Sequence, residues 1–235
     1  MVLPVKVFEI TEDVDFGFLV QKLKNFREEE AFHIESGQEI SLVTEILDLK
    51  VEGEVVSGVF SRDFVGARFY KRELVEAPGT EEAPFWIVSY DKRKFLIVLA
   101  PSVARGVKKL LTGTVANKIS RVLFIQVGAI VEVNIPSEVL RELHESNPAA
   151  TKLTWFDNVD IPGVEKLCLA GSGIVDTALY RDYLKHGQIW YVVFEAQKRG
   201  IVIGITRSCT VTLFSKSTVS DLIQYIQQDI LKLVQ

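Results

Sequence analysis

One stretch of this chain occurs twice, and that repetition constrains the fold more than any single motif does. Residues 52–64, EGEVVSGVFSRDF, find an echo at residues 171–183, GSGIVDTALYRDY, 119 positions on. Arg62-Asp63 matches Arg181-Asp182, Phe64 matches Tyr183, and Val55-Val56 matches Ile174-Val175. The neighbours match in the same order. Leu19-Val-Gln-Lys-Leu23 parallels Val139-Leu-Arg-Glu-Leu143, and Trp86-Ile-Val-Ser-Tyr-Asp91 parallels Trp190-Tyr-Val-Val-Phe-Glu195. Ordered self-similarity sets an architecture before individual motifs are weighed. It predicts a tandem duplication, with repeats over residues 1–121 and 122–235.

Within each repeat the hydrophobic spacing predicts the same succession of elements. Val5–Ile10 alternates as a strand does. Asp13 or Asp15 can cap a helix whose apolar positions are Phe18, Leu19, Leu23 and Phe26. Residues 39–60 read as strand, with a turn or a bulge at Gly53. Residues 65–84 hold extra material of the first repeat, and their tail, Ala-Pro-Gly-Thr-Glu-Glu-Ala-Pro, reads as a loop by composition. The Trp86 segment and residues 94–99 then pair as a hairpin, and a helix is expected over 102–119, weakened at Gly113.

The second repeat reopens with strand-forming residues from Val122 to Ile135. Pro136 starts a helix that Asn147-Pro148 ends. Strands follow at 153–156, 164–169 and 174–179, then a second Trp hairpin and a strand at 210–214. Thr218-x-x-Asp221 opens the last helix as a capping box, with Leu222, Ile223, Ile226, Ile230 and Leu233 as its buried stripe.

Strands joined by hairpins, with helices gathered on one side, define an α+β fold with an antiparallel sheet and pseudo-twofold symmetry. In order of elements the chain resembles the two-repeat saddle of the TATA-box-binding proteins, which carry a strand, a helix, a strand meander and a long helix in each half. The resemblance is one of element order, and no functional residue is carried over from it.

Composition excludes several classes. A hydrophobic fraction of 48% with 25% charged residues is that of a globular chain able to bury a core. No apolar run approaches the roughly 18 residues of a membrane span, so no membrane partner is expected. Met1-Val-Leu-Pro-Val-Lys lacks the basic start and apolar centre of a signal peptide, so the expected location is the cytoplasm. Cys168 and Cys209 read as two small buried hydrophobes. No Cys-x-x-Cys occurs and His33, His144 and His186 are far apart, so neither metal nor cofactor is expected. One Met and two Cys among abundant Val and Ile fit a thermophilic composition.

The charge distribution is lopsided. Residues 1–61 carry 5 Lys/Arg against 13 Asp/Glu, residues 62–121 carry 12 against 6, and residues 122–235 carry 10 against 12. From Lys92 to Val131 there is no acidic residue at all. Lys92, Arg93 and Lys94 open that run. Arg105, Lys108 and Lys109 follow at i, i+3 and i+4, on one face of the expected helix. Cations gathered on one face bind polyanions by releasing counterions. The competing reading is a solvated face paired with Glu28-Glu29-Glu30 of the same chain.

Enzymatic signals are poorer. Asp48-Leu-Lys50 in a strand fits part of a metal-dependent nuclease site but lacks a well-placed second acid. Gly171-Ser-Gly173 lacks the third glycine of a dinucleotide loop, and residues 112–118 lack P-loop spacing. Arg62-Asp63 and Arg181-Asp182 read as structural pairs, and Trp86 and Trp190 as core or interface anchors. The function expected is therefore a non-enzymatic binding module. It would contact nucleic acid or an acidic protein through the basic middle third. The alternative is a metal-dependent nuclease or phosphoesterase with a spatially assembled carboxylate site, and a third reading is a subunit that assembles through its sheet.

Overall fold

The computed structural model describes residues 2–34, 39–100, 112–146, 148–196, 199–214 and 217–234. Among them are twelve strands, whose described pairings are antiparallel, and five α-helices, an α+β protein. Contacts divide the chain into two compact units, residues 8–131 and residues 1–7 with 132–235. The expected division at 121/122 falls inside the helix Thr112–Phe124.

The first unit takes in the end of β1 (Leu3–Ile10), then α1 (Phe16–Leu23), β2 (Arg27–His33), β3 (Glu39–Glu52), β4 (Val55–Tyr70), β5 (Glu73–Tyr90), β6 (Arg93–Leu99) and α2 (Thr112–Phe124). A short β7 (Ile130–Glu132) comes next. Asp15 caps α1, its carboxylate accepting from Phe18 N at 2.7 Å. β2 to β6 form an antiparallel meander in sequence order. Inward residues of this sheet, Phe60, Phe85, Ile87, Leu96 and Val98, pack with Leu19 and Leu23 of α1 and with Val115, Ile119 and Leu123 of α2. Residues 122–124 close α2 and do not open a strand, because Leu123 continues its buried stripe.

The tail from Ala77 to Pro84 is not a loop but part of β5. β4 and β5 pair without interruption from Val55↔Val88 to Tyr70↔Glu73. β3 accompanies β4 only as far as Arg62, and β6 accompanies β5 only from Phe85. Residues 63–80 therefore form a ribbon that pairs only with itself, while β3 continues from Thr44 to Glu39 in its ladder with β2. Eight residues per strand at about 3.3 Å each make it roughly 25 Å long. Its tip is a two-residue turn, Lys71 (φ 46°) and Arg72 (φ 72°), the primed geometry that matches strand twist. The Phe64 ring lies over bare backbone at Gly66 and Gly79, where an added Cβ would stand 3.1 and 3.0 Å from it. Large aromatics covering glycine in this way fix the register of a ribbon.

The second unit contains residues 3–7 of β1, then α3 (Ser137–Glu145), β8 (Thr151–Asp157), β9 (Leu167–Ala170), α4 (Ala178–His186), β10 (Gln188–Ala196), β11 (Ile201–Thr206), β12 (Thr210–Leu213) and α5 (Val219–Tyr225). Its strand order is β1-β12-β11-β10-β8-β9. The buried Lys6 is compensated by Glu132 at 3.0 Å and the Ser208 carbonyl at 2.5 Å. The Thr218–Asp221 capping box forms as the sequence predicts. Past Tyr225 the helix widens into a π turn over Ile226–Ile230. That turn takes up an extra residue and rotates the last turn of the chain about the helix axis. Leu231 and Val234 are buried in place of the expected Leu233, while Leu222, Ile223, Ile226 and Ile230 are buried as predicted.

The echoed segments do not share a conformation. Val55–Phe64 lies in β4, whereas Ile174–Asp176 is a 3₁₀ turn and Ala178–His186 is α4, so Phe64 and Tyr183 are not equivalent. Thr177 decides this locally, its hydroxyl accepting from Tyr180 N at 3.1 Å and starting a helix where the sequence predicts a strand. The flanking matches do share element types. Leu19–Leu23 and Val139–Leu143 are helical, and Trp86 and Trp190 lie on strands that open hairpins. Cys209 is buried as expected, but Cys168, on β9, is exposed.

Candidate nucleic-acid interface

In a two-stranded ribbon, cross-strand partners share a face and successive residues alternate faces. At the tip, Phe69 faces Leu74 across the ribbon. Both are uncovered, at 72% and 67% exposure. The opposite face presents Arg68 beside Val75 and Tyr70 beside Glu73. The Lys71 ammonium sits 5.3 Å from the Tyr70 ring centroid. Residues 67–74 thus bring three exposed cations, Arg68, Lys71 and Arg72, together with three exposed apolar side chains and one acid, Glu73. Lys71 and Arg72 form no salt bridge among the described residues.

The ribbon is clamped at its base by the Arg62-Asp63 pair. The Asp63 carboxylate accepts from Val43 N at 3.0 Å and from Thr80 Oγ1 at 2.6 Å, tying β4 to the strands on both sides. Arg62 meets the buried Glu81 across the ribbon at 3.3 Å. Beside this base lies a cleft of about 620 Å³, lined by Glu28, Glu30, Phe32, Arg62, Phe64 and Lys118 among others. Its charges are of both signs and largely paired. The second pair is structural in its own way, Arg181 donating to the carbonyls of Asp176 and Thr177.

Of the cations singled out in the sequence, Lys92, Arg93 and Lys94 are described, and each has its own surroundings. Lys92 is exposed in the β5–β6 turn, where Asp91 and Lys92 both have positive φ. Arg93 is half-buried and bidentate to Glu9, with both N–O distances at 2.7 Å, and stacks on Phe95. Its hydrogen bonds hold the Glu9 carboxyl below the usual carboxylate range. Lys94 lies 5.9 Å from the centre of the Phe16 ring. Arg105, Lys108 and Lys109 lie outside the described residues. Lys118 pairs with Glu28, as the competing reading of the charge run expects. Sequence reasoning misses the tip, because Pro78 and Gly79 read as loop formers. Two runs of similar length on either side of Lys71-Arg72 are the available signal.

The second unit holds another cleft, of about 540 Å³, lined by Asn134, Glu138, Asp157, Gln188, Trp190 and Arg207 among others. Arg207 is fixed there by Asp157 at 2.5 Å and Gln188 at 3.0 Å. Asp157 Oδ1 and Trp190 Nε1 are buried without hydrogen-bond partners among the described residues. The Glu138 carboxyl is held below its usual range by its own backbone N–H and the Ser137 hydroxyl, so it remains an anion beside Arg207.

His144 packs edge-on against Tyr180 of α4. It is 1% exposed, and burial pushes its pKa down to about 4. Tyr180 Oη lies 2.8 Å from His144 Nε2 and donates to Glu145 at 2.8 Å. Arg141 donates to the same carboxylate at 2.8 Å. Burial, then Glu145, raises the Tyr180 pKa. With the Glu145 anion taking the phenol proton, a neutral His144 protonated on Nε2 completes the chain, and Thr151 lies 3.4 Å from Nδ1. This network ties α3 to α4 and leaves no imidazole edge for a substrate. Asp48 of the nuclease alternative sits at a bulge in β3 with φ 51°. Among the described residues no three His, Cys, Asp or Glu side chains gather as a metal-holding set. No protein-family model matches this chain, and no curated protein matches it.

Proposed function

We propose that this protein binds nucleic acid without acting on it chemically, through the ribbon of residues 63–80. One observation carries the reading. The ribbon runs roughly 25 Å beyond its last pairings with β3 and β6 and ends in three exposed cations interleaved with exposed aromatic residues. An isolated two-stranded ribbon is marginal in water, so a chain that builds one and clamps its base places the tip for contact. Cations contribute affinity by neutralising phosphates, and aromatic rings add contact with bases. The reading keeps the basic middle third as the binding region but moves its centre from the 105–109 segment to the tip at Arg68, Lys71 and Arg72. The shared helix and Trp-hairpin matches favour descent of both units from one duplicated ancestor, with the ribbon as an elaboration of the first.

The test is a salt titration of binding to duplex and single-stranded DNA. Three neutralised phosphates give a slope near −2.7 in log affinity against log salt, or about a 40-fold loss between 50 and 200 mM salt. Arg68→Ala/Lys71→Ala/Arg72→Ala should abolish that dependence while leaving the far-ultraviolet spectrum unchanged. No binding to DNA or RNA at 20 mM salt, with binding to polyglutamate instead, would replace nucleic acid with an acidic protein.

A further inference from the structure

We infer that the cleft of the second unit binds a small neutral polyhydroxylated molecule, a mono- or disaccharide, through hydroxyl groups held at Asp157 and Trp190. The site lies wholly within residues 132–235 and does not depend on the nucleic-acid reading. Three neighbouring strands bring their ends to it. Asp157 is the last residue of β8, Gln188 is the first of β10 and pairs with it, and Arg207 follows β11. The segment before α3 is tied to the same place by Ile135 N, which donates to the Arg207 carbonyl at 2.7 Å. Trp190 joins the cleft at a β-bulge. β10 pairs Ile189 with Phe156 and Tyr191 with Trp155, so Trp190 is the extra residue between them. Ile189 and Val192 are both buried although three apart, because the alternation breaks between them. Bulges re-aim side chains and are frequent beside functional sites. The Trp190 carbonyl accepts from Arg207 N at 2.8 Å, and the Lys166 ammonium lies 4.8 Å from the indole centroid, so the ring is held from two directions.

The polar atoms of the cleft select the chemistry of the ligand. Trp190 Nε1 is a donor and Asp157 Oδ1 an acceptor, both buried and without hydrogen-bond partners among the described residues. Buried polar groups are nearly always paired, and a ligand is one means of pairing them. A hydroxyl serves both atoms, since it accepts through its lone pairs and donates its proton. An anionic ligand is disfavoured. The Arg207 guanidinium is already bonded to Asp157 at 2.5 Å and to Gln188 at 3.0 Å, and Glu138 stands beside it as a second carboxylate. An ammonium group is disfavoured too, because its protons would meet the indole N–H and the guanidinium, which have no lone pairs to offer. A neutral ligand remains. The amides of Asn134 and Gln188 and the Glu138 carboxylate also line the cleft. Each is planar with two hydrogen-bonding atoms, a spacing that suits adjacent hydroxyls on a sugar ring and that a ligand with one polar group would leave unmet. At about 540 Å³ the cleft is of the size that holds small molecules. Both buried atoms lie beneath its wall, so the ligand parts the exposed Arg207–Gln188 hydrogen bond as it enters.

The experiment uses the full chain labelled with nitrogen-15, whose three tryptophans give three indole N–H resonances. Trp190→Phe identifies the resonance of interest by its loss. Glucose, galactose, N-acetylglucosamine, ribose and lactose are each titrated to about 200 mM, with sodium phosphate and methylammonium chloride as charged controls. At least one sugar should move the Trp190 indole resonance saturably, with a Kd of about 1–10 mM, as a few hydrogen bonds to neutral hydroxyls allow. The charged controls should leave it in place. Asp157→Asn exchanges one acceptor oxygen for a donor, and Trp190→Phe removes the indole donor while keeping a ring at the bulge. Each should weaken sugar binding about tenfold, followed at the backbone resonance of Gln188, while the remaining backbone spectrum shows an intact fold. No saturable shift with any of the sugars would overturn the site and leave the two buried atoms to water. A shift with phosphate or methylammonium and none with sugars would overturn the neutral ligand. Sugar binding undiminished in both variants would place it elsewhere on the protein.

Discussion

The buried histidine makes a prediction about acid stability that can be worked through. His144 has its pKa pushed from 6.5 to about 4 by burial, against the pull of the Glu145 anion and with a smaller push from Arg141. The folded state therefore resists a proton that the unfolded chain accepts. A depressed folded pKa means stability that is present above pH 6.5 and lost as the pH falls toward 4. The full loss is about 3 kcal/mol, and at pH 5 about 2 kcal/mol of it is realised. Above pH 5 the unfolded carboxylates remain mostly ionised, so this window isolates the imidazole. Chemical denaturation of the wild type and of His144→Gln, at pH 7.5 and 5.0, measures the effect. Glutamine can still reach Tyr180 but cannot titrate, and His33 and His186 are common to both proteins. The wild type should lose about 2 kcal/mol more than the variant between the two pH values, at equal denaturant slopes. Equal losses in both proteins would refute the argument and place a titrating, solvent-reached imidazole at position 144.

Packing yields three further outcomes. Tyr180→Phe leaves Glu145 and His144 Nε2 without the phenol between them, so thermal or urea unfolding should show a loss of about 1–3 kcal/mol. Ile226→Ala, at a fully buried position in the π turn, should cost about 2–5 kcal/mol by equilibrium denaturation, and an unchanged midpoint would remove this segment from the core. Gly58→Ala would set a methyl 2.9 Å from the Phe85 ring and 3.3 Å from the Leu47 carbonyl, so overpacking of about 1–3 kcal/mol should appear in the same assay.

The sequence is legible where local periodicity and end chemistry decide the outcome. The Asp15 cap, the Thr218–Asp221 box, the Gly53 turn and the buried stripe of α5 up to Ile230 need only neighbours within a turn or two. It is less legible where identical residue types face different partners. Arg-Asp with a following aromatic occurs in a strand at 62–64 and in a helix at 181–183. In the first, β5 supplies a ladder to all three residues and β3 pairs Arg62, while in the second Thr177 offers a cap and the backbone takes it. Lys71-Arg72 adopts a turn geometry whose usual sequence marker is Asn-Gly, so the ribbon's reversal carries no local sign.

Charge behaves the same way at longer range. The run from Lys92 to Val131 is basic as a sequence, yet Arg93 finds Glu9 84 residues away and Lys118 finds Glu28 at a distance of 90. Net charge along a chain therefore overstates the cations offered to a partner, by the number that folding returns to the chain's own acids. The acids that could do this at the ribbon tip are few, because the ribbon leaves its neighbouring strands before its cations begin. β3 has ended its pairing at Arg62, and the first exposed tip cation is Arg68. Leaving the ladder of β3 keeps the tip cations off the carboxylates that strand carries in its paired stretch, and under the proposed function that is a physical reason for placing them on a ribbon.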